Sequence, residues 1–243
     1  MTIAIGAFLN ALGILLGGLF GLVRRQPLSA GAQFLLKNAL GAATVLFGLR
    51  LVWLSIHGTL PVCLKQLLIA VLGIVLGNVV GKVLRLQLIS NRLGRHATGL
   101  LSSAETPSPR RIANGFNACT ILFWAAPLGL LGVVADGLSG YFWLLAIKGV
   151  MDGLAMTSFV KMFRWPVALT AVPVFAFLGV LTLACQLYAR PFLELHQLLD
   201  SVDAATGLSA CAVALVIFEV RRVELTNFLP SLVVAPLLTW LLR

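Results

Sequence analysis

The chain consists of long apolar stretches separated by short polar or basic segments. A helix that crosses a bilayer needs ~20 predominantly apolar residues, and several stretches approach or reach that length. The pattern predicts an all-α, polytopic transmembrane helical bundle of about eight helices, or seven if one of the last two segments does not cross. The predicted spans are 3–23, 34–56, 64–84, 112–135, 141–160, 166–188, 204–220 and 225–242.

The composition of the chain indicates the same class of protein. Of the 243 residues, 60% are hydrophobic and only 11% are charged, and the mean hydropathy is +1.01. Soluble domains rarely have such a composition. The whole chain, 1–243, is therefore predicted to form a single integral membrane domain whose main partner is the lipid bilayer.

The basic residues are distributed unevenly between the connections. A net charge of +10 would suggest a nucleic-acid partner in a soluble protein, but here the bases follow the predicted topology. Because basic loops stay in the cytoplasm, both termini are predicted to lie outside it, and no nucleic-acid partner is expected. Thirteen bases fall in one set of alternate connections, namely Arg24, Arg25, Lys37, Lys82, Arg85, Arg92, Arg95, Arg110, Arg111, Lys161, Arg164, Arg221 and Arg222. The other set holds four bases, Arg50, Lys65, Arg190 and Arg243, together with Asp136, Glu194, Asp200 and Asp203.

Two connections are long enough to form structure of their own. The predicted cytoplasmic basic loop, 85–111, begins with bases alternating with leucines, which favours either an amphipathic helix on the inner leaflet or a solvated loop. Its second part, SSAETPSPRR, has the composition of a flexible linker. The predicted outer amphipathic loop, 189–204, has Pro191 at a plausible helix start. Its apolar face would comprise Phe192, Leu195, Leu198, Leu199 and Val202.

Two predicted helices carry the same glycine spacing, GxxxGxxxG. This spacing removes side chains along one helical face and lets two backbones approach closely. One span separates the two helices, so they are predicted to run parallel. Their glycine faces could pack within the bundle, join the subunits of a homo-oligomer, or line a passage. The glycines are Gly13, Gly17 and Gly21 in the first helix and Gly73, Gly77 and Gly81 in the third.

The fifth predicted span contains two opposite charges, Lys148 and Asp152. A charged side chain at the centre of a membrane helix costs at least ~2.5 kcal/mol on insertion scales, so such residues are shielded, paired or functional. The spacing of four residues puts both on one helix face. Two interpretations remain open at this stage: a structural ion pair, or the polar site of a transported solute or ion. In the second case Asn10, Asn117 and Asn227 are the amides expected to line the same cavity.

Four prolines lie inside or near the middle of predicted spans. Proline removes a backbone donor and frees a carbonyl group, so kinks are expected at these positions. The last apolar segment, NFLPSLVVAPLL, contains two of them and is the best candidate for a broken or re-entrant element. The four prolines are Pro127, Pro173, Pro230 and Pro236.

Sequence signatures of enzymes, cofactor sites and metal sites are missing. The chain has no HExxH, GxSxG, Walker or GxGxxG motif. Its cysteines are far apart, and one histidine with scattered acids, His196, is weak evidence for a metal. The protein is therefore predicted not to be an enzyme and to need no cofactor or metal. The cysteines are Cys63, Cys119, Cys185 and Cys211.

Five segments in order resemble the YqgA/YdfK-like family of bacterial inner-membrane proteins, which contain domain of unknown function 554. They are AFLNALGILLGGLFG, LGNVVGKVL, DGLSGYFWLLAIKGVMDGLA, PVFAFLGVLTLA and NFLPSLVVAPLL. The resemblance covers nearly the whole chain and implies a multi-pass protein of the bacterial inner membrane, commonly guessed to be a transporter. Residues that match its pattern are Asn10, Gly17, Gly18, Gly77, Gly81, Asp136, Gly137, Gly140, Lys148, Asp152, Gly153, Gly179, Asn227 and Pro230.

The chain also departs from that family pattern. Lys82 stands where the family usually has a glutamate, and Tyr141 stands where it usually has an aspartate, so roles that rest on those acids do not carry over. The leading hypothesis is a small-solute or ion permease that uses Lys148 and Asp152 in its internal site. The alternative is a non-transporting membrane component in which the same pair is purely structural.

Overall fold

The computed structural model describes residues 4–24, 29–105, 110–221 and 223–242 of the chain. Within these ranges the chain is helical and contains no strand, which confirms the predicted all-α class. Two 3₁₀ segments, Trp165–Thr170 and Leu225–Phe228, and a π-helical turn, Cys185–Ala189, adjoin the α-helices. The α-helices are α1 Ile5–Val23, α2 Ala30–Leu54, α3 Leu60–Val83, α4 Leu86–Glu105, α5 Arg111–Ala125, α6 Pro127–Ser139, α7 Trp143–Phe163, α8 Ala171–Ala184, α9 Arg190–Leu195, α10 Leu199–Ile217 and α11 Ser231–Leu241.

The number of helices long enough to cross a bilayer reaches seven among the described residues, which is the lower of the two predicted numbers. Among the described residues, six helical segments have the necessary length and apolar character, and a bent pair of helices brings the number up to seven. The six are α1, α2, α3, α7, α10 and the continuous segment Trp165–Leu195. The predicted eighth span is instead a shorter apolar helix, Leu225–Leu241. Its 3₁₀ start and its break before Ser231 follow from Pro230, which cannot donate a backbone hydrogen bond.

The predicted fourth span is broken. Helices α5 and α6 meet at Ala126, whose backbone is extended, and their axes are bent by 57°. Pro127 begins α6, as expected for a residue whose missing N–H is harmless in a first helical turn. The kink predicted at Pro127 is thus present, and the single helix predicted over 112–135 is corrected to two.

Helix α6 also ends later than the predicted span. Gly140 adopts a left-handed conformation with φ of 68° and terminates the helix after Ser139. As a result Asp136, predicted in an outer connection, lies inside α6 and is buried. Asp203, predicted in the next outer connection, likewise lies inside α10 and is buried.

The two long connections contain helices. α4 occupies 86–105 of the predicted basic loop, and it packs on α5. The predicted outer amphipathic loop is not one interfacial helix, because the chain turns between α9 and α10 at Gln197, where φ is 53°. Leu198 and Leu199 therefore belong to the start of α10 and not to a face shared with Phe192. Residues 106–109 of the linker, and the predicted cytoplasmic or outer bases Arg25, Arg222 and Arg243, lie outside the described residues.

The helices form two packed groups. The first contains α1, α5, α6, α7 and α8, and the second contains α2, α3, α10 and α11. The first group has its own apolar core, in which Ile14, Met156 and Leu178 are fully buried. A second apolar core joins the groups and is made mainly by α2, α6, α7 and α10. The two groups are therefore joined through an apolar interface.

Both glycine series pack against helices of the same chain. Gly13 and Gly17 of α1 face the backbone of Gly149 and Gly153 in α7, and the two helices run parallel. A Cβ atom at Gly21 would lie only 2.6 Å from the carbonyl oxygen of Thr157, so no larger residue fits there without a shift. The series in α3 faces the antiparallel segment that includes α11, with Gly73 opposite Ala235, Gly77 opposite Ser231 and Gly81 opposite Asn227.

This packing leaves two of the earlier interpretations without support. Neither glycine face is free for a second copy of the chain, and neither lines a passage. Close backbone contact supplies van der Waals packing where the bilayer supplies no hydrophobic force between helices. The glycines therefore determine which helices become neighbours.

Replacement of Gly17 by alanine should destabilise the protein, because the added methyl group overlaps the Gly153 backbone. We expect a loss of about 1–3 kcal/mol, typical of overpacking, measured by unfolding of the purified protein in detergent. Gly94→Ala in α4 is the matched control, since no atom lies within 4 Å of its added Cβ. Equal stability of the Gly17 and Gly94 variants would contradict the close approach of α1 and α7.

Candidate functional site

Lys148 and Asp152 form a direct ion pair within α7. The ammonium group of Lys148 donates to Oδ2 of Asp152, and the exposed fractions of the two residues are 1% and 7%. Both charges are therefore withdrawn from solvent and lipid. At ~1.5 Å per residue from the start of α7, the pair lies ~8 and ~14 Å along the helix.

Asn10 of α1 completes this group. Its Nδ2 donates to the same Asp152 oxygen over 3.0 Å, and the residue is fully buried. The parallel pairing of α1 with α7 brings this amide to the carboxylate, because Gly149 lies against the backbone of Asn10. The Asn10 side-chain oxygen has no hydrogen-bond partner in the described part of the chain. Three polar side chains, which we call the α1–α7 triad, thus join two membrane helices.

The lysine end of the triad lies against the broken span. A Cβ atom at Gly129, in the first turn of α6, would lie 2.8 Å from Cε of Lys148. The ammonium nitrogen lies 6.0 Å from the centroid of the Phe123 ring in α5, within reach of a cation–π interaction. Lys148 therefore contacts both halves of the bent pair.

The triad has no access to the larger cavities. Five cavities in the described part of the chain have volumes between about 230 and 480 Å³, and neither Lys148 nor Asp152 lines any of these five. A polar site for a solute should be water-accessible, whereas a structural pair should be dry and directly bonded. Lys148 and Asp152 are thus directly bonded to each other and do not line any of these five cavities.

Two amides predicted to line the same site lie elsewhere. Asn117 is exposed on α5. Asn227 is buried, but it donates to Glu224 over 2.7 Å and accepts from the backbone N–H of Gln87 over 3.2 Å. Asn227 therefore attaches the start of α4 to the 3₁₀ segment before α11. Sequence reasoning grouped these amides with the pair because all of them were predicted to lie within spans. The position of a residue along a span does not show which neighbouring helix its side chain faces.

The largest of the five cavities lies between the two helix groups. Its volume is about 480 Å³, and α2, α7 and α10 form its walls. Polar side chains and two lysines line part of it, and none of the lining residues is acidic. Apolar residues line the remainder, including Met151, the neighbour of Asp152. The polar and basic residues are Gln33, Lys37, Thr157, Ser158 and Lys161.

Helices α2 and α7 are in close contact at the end of their interface that lies away from this cavity. The rings of Phe47 and Trp143 stack with centroids 4.7 Å apart and an interplanar angle of 8°. The Tyr141 hydroxyl donates to the carbonyl oxygen of Phe47 over 2.8 Å. We call these three residues the aromatic closure. The interface between α2 and α7 is therefore open at the end with Lys37 and Lys161 and closed at the end with Phe47 and Trp143.

Sequence reasoning missed two buried acids near the closed end. Asp136 accepts a hydrogen bond from the backbone N–H of Gly6, near the start of α1, over 3.0 Å. Asp203 accepts a hydrogen bond from the Ser139 hydroxyl. For Asp136 the signal that could have revealed it is Gly140, since a glycine that ends a helix would have extended α6 through Asp136 and Ser139.

No metal site accompanies these acids in the described part of the chain, which contains no group of three or more His, Cys, Asp or Glu that could hold an ion. A buried charged triad, a cavity between two helix groups and six to seven apolar spans define a polytopic α-helical membrane protein. The chain belongs to the family described as "Protein of unknown function (DUF554)", whose model matches residues 5–240.

Two relatives match nearly the full length of the chain. "Uncharacterized membrane protein YdfK" of Bacillus subtilis (strain 168) is 23% identical over 238 residues, which cover 98% of this chain and 96% of that protein. "Uncharacterized protein YqgA" of Escherichia coli (strain K12) is 25% identical over 232 residues, which cover 95% of this chain and 94% of that protein. No solved structure gives a significant match.

Replacement of Asp152 by asparagine should destabilise the protein, because it leaves the buried Lys148 ammonium without its counter-charge. Breaking a buried pair from one side typically costs about 3–5 kcal/mol. The double variant Lys148→Met with Asp152→Leu removes both charges and should lose less stability than Asp152→Asn. Unfolding of the purified proteins in detergent checks this order. The charges would not be coupled if the double variant lost as much stability as the single variants Lys148→Met and Asp152→Leu lose together.

Proposed function

We propose that the protein is a permease for small anions and that its solute pathway is the cavity between the two helix groups. The observation that carries this proposal is the asymmetry of the interface between α2 and α7. That interface holds a cavity of about 480 Å³ at one end and the aromatic closure at the other. A cleft between two helix groups that opens to one side only is the arrangement expected of alternating access.

The charges of the cavity favour an anionic solute. Lys37 and Lys161 line the cavity without an acidic lining residue, and the Thr157 and Ser158 side chains can act as hydrogen-bond donors. Lys37 also pairs with Glu219, whose side chain is 78% exposed. An entering anion would compete with this exposed pair, which is a weak interaction in water.

The helix directions support a topology with the cavity facing the cytoplasm. α1 runs parallel to α7, whereas α2 runs antiparallel to α10 and α3 antiparallel to α11. These relations agree with eight crossings if the bent pair and the last segment each count as one. The charge distribution then puts Lys37 and Lys161 on the cytoplasmic side and both termini on the outer side. In a bacterium this membrane is the inner membrane.

In this proposal the α1–α7 triad is a structural element of one helix group. It holds α1, α7 and the bent pair together while the groups move relative to each other. A non-transporting membrane component is the second candidate. The direct bonding and burial of the triad agree with this candidate as well as with the permease. The cavity and its one-sided closure distinguish the permease, because packing alone does not require them.

Cysteine accessibility tests the direction in which the cavity opens. In a variant whose four native cysteines are replaced by alanine or serine, Ser158→Cys should react with a membrane-impermeant thiol reagent from the cytoplasmic side only. Val150→Cys is the control on the same helix, because Val150 is 49% exposed but does not line the cavity. Reaction of position 158 from the outer side alone would reverse the proposed orientation.

Flux into proteoliposomes tests transport itself. Ala155→Trp should block the cavity, because Ala155 lines it and the added ring fills much of its width. Uptake of at least one of phosphate, sulfate, acetate and succinate should fall at least tenfold in this variant and stay near the original value in Val150→Trp. Equal flux through both variants, or no flux above protein-free liposomes for any of these anions, would contradict the proposal.

A further inference from the structure

Three buried acids lie within membrane helices of the described chain, and Asp203 is the one among them with a fully buried carboxylate oxygen that has no hydrogen-bond partner. Asp152 pairs with Lys148, and Asp136 accepts the Gly6 N–H near the positive end of the α1 helix dipole. Asp203 is 5% exposed, and its Oδ1 has no hydrogen-bond partner in the described residues. Its Oδ2 accepts the Ser139 hydroxyl proton.

No base pairs with Asp203 in the described part of the chain. Arg190 is the cation that acts on it electrostatically, but the Arg190 guanidinium is already bonded to Glu194 over 2.7 Å. Asp200, one turn earlier on α10, acts in the opposite sense and disfavours a second negative charge. Burying a carboxylate without a paired cation is costly, and binding a proton removes that cost.

The elements that pack on α10 supply no other counter-charge. In α3 the Lys65 ammonium donates to the carbonyl oxygen of Leu242 over 2.8 Å. Arg50 of α2 is exposed, and the charged group of α6 is Asp136, an acid. Helix α11, Ser231–Leu241, contains no charged residue. The nearby His57 ring lies 4.0 Å from Asp200, not against Asp203.

A route for exchange with water lies one residue away. A second cavity, of about 300 Å³, is lined by Asp200, Ser201 and Ala204 on α10. Ala204 follows Asp203 directly, and Asp203 lies only four residues into α10, ~6 Å along the helix. Asp203 itself does not line this cavity, whose lining also includes Lys65 of α3, but its neighbour Ala204 does.

From these contacts we infer that Asp203 is a proton-binding site of the protein, with Ser139 as the positioning residue that donates to its carboxylate form. The ligand is a proton, not a metal ion, because the carboxylate and one hydroxyl supply too few oxygen ligands for a cation. The site is separate from the cavity between the helix groups and does not depend on the permease proposal. If that proposal holds, Asp203 would bind the proton that is coupled to transport, at the closed end of the pathway.

Carbodiimide labelling of the full-length protein in detergent tests the inference. A protonated carboxyl group adds to dicyclohexylcarbodiimide: its proton moves to a nitrogen, its oxygen bonds to the central carbon, and the adduct rearranges to a stable N-acylurea. Peptide mass spectrometry should find this adduct on Asp203 at neutral pH and at least tenfold less of it on Asp152, the ion-paired control. Labelling of Asp203 should decline as the pH rises.

Two variants separate proton binding from a structural role. Ser139→Ala removes the hydrogen bond that favours the charged form, so labelling of Asp203 should persist to a higher pH than in the original protein. A purely structural role for Ser139 would change stability but not this pH dependence. If sodium ions at constant pH reduced the labelling of Asp203, the site would bind a metal cation instead of a proton, and the inference would be overturned.

Infrared spectroscopy covers the case in which the reagent does not reach the site. The carbonyl stretch of a protonated carboxylic acid should appear at neutral pH in the original protein and be lost in Asp203→Asn, which has nearly the same shape. If the spectrum of the original protein minus that of Asp203→Asn contains no such band at neutral pH, Asp203 is ionised and the inference is overturned.

Discussion

The contact between α1 and α7 is the constraint on which the rest of the structure depends. Helices that approach to backbone contact, as these do at Gly13, Gly17 and Gly149, tolerate no side chain between them. That proximity allows the Asn10 amide to reach Asp152, which in turn holds Lys148 against the broken span. Five helices thereby become one group. The cavity lies where α2 and α10 of the other group meet α7 of this one.

The second group is assembled by the same physical means with different residues. Gly48 of α2 meets the backbone oxygen of Gly207 in α10, and the α3 glycines meet the segment around Ser231. In both cases the helices are antiparallel, and no charge is buried between them. The polar contacts of this group lie at its ends, where Asn227 and Gln87 bond to each other.

Local patterns in the sequence predicted the helices well and their neighbours poorly. The apolar runs gave the positions of the spans, and the four-residue spacing placed Lys148 and Asp152 on one face. The glycine series predicted close contacts but not with which helix, because a bare face fits any partner with a complementary surface. Asn10 and Asp152 are 142 positions apart, so their bond depends on the fold as a whole. Asp203 was predicted to lie in an outer connection because it is charged, whereas the fold buries it within α10 against Ser139.

The parallel pairing of the first and fifth crossings has a consequence for how the protein is made. Helix α1 enters the bilayer more than a hundred residues before α7 is synthesised, so it waits in lipid without the helix that its glycines fit. Its single buried amide, Asn10, is a modest burden during that interval. Lys148 and Asp152, in contrast, enter together on one turn of one helix and can neutralise each other before any docking occurs. The costliest residues of the chain are thus inserted as a pair, and the helix that inserts early carries only a neutral polar group.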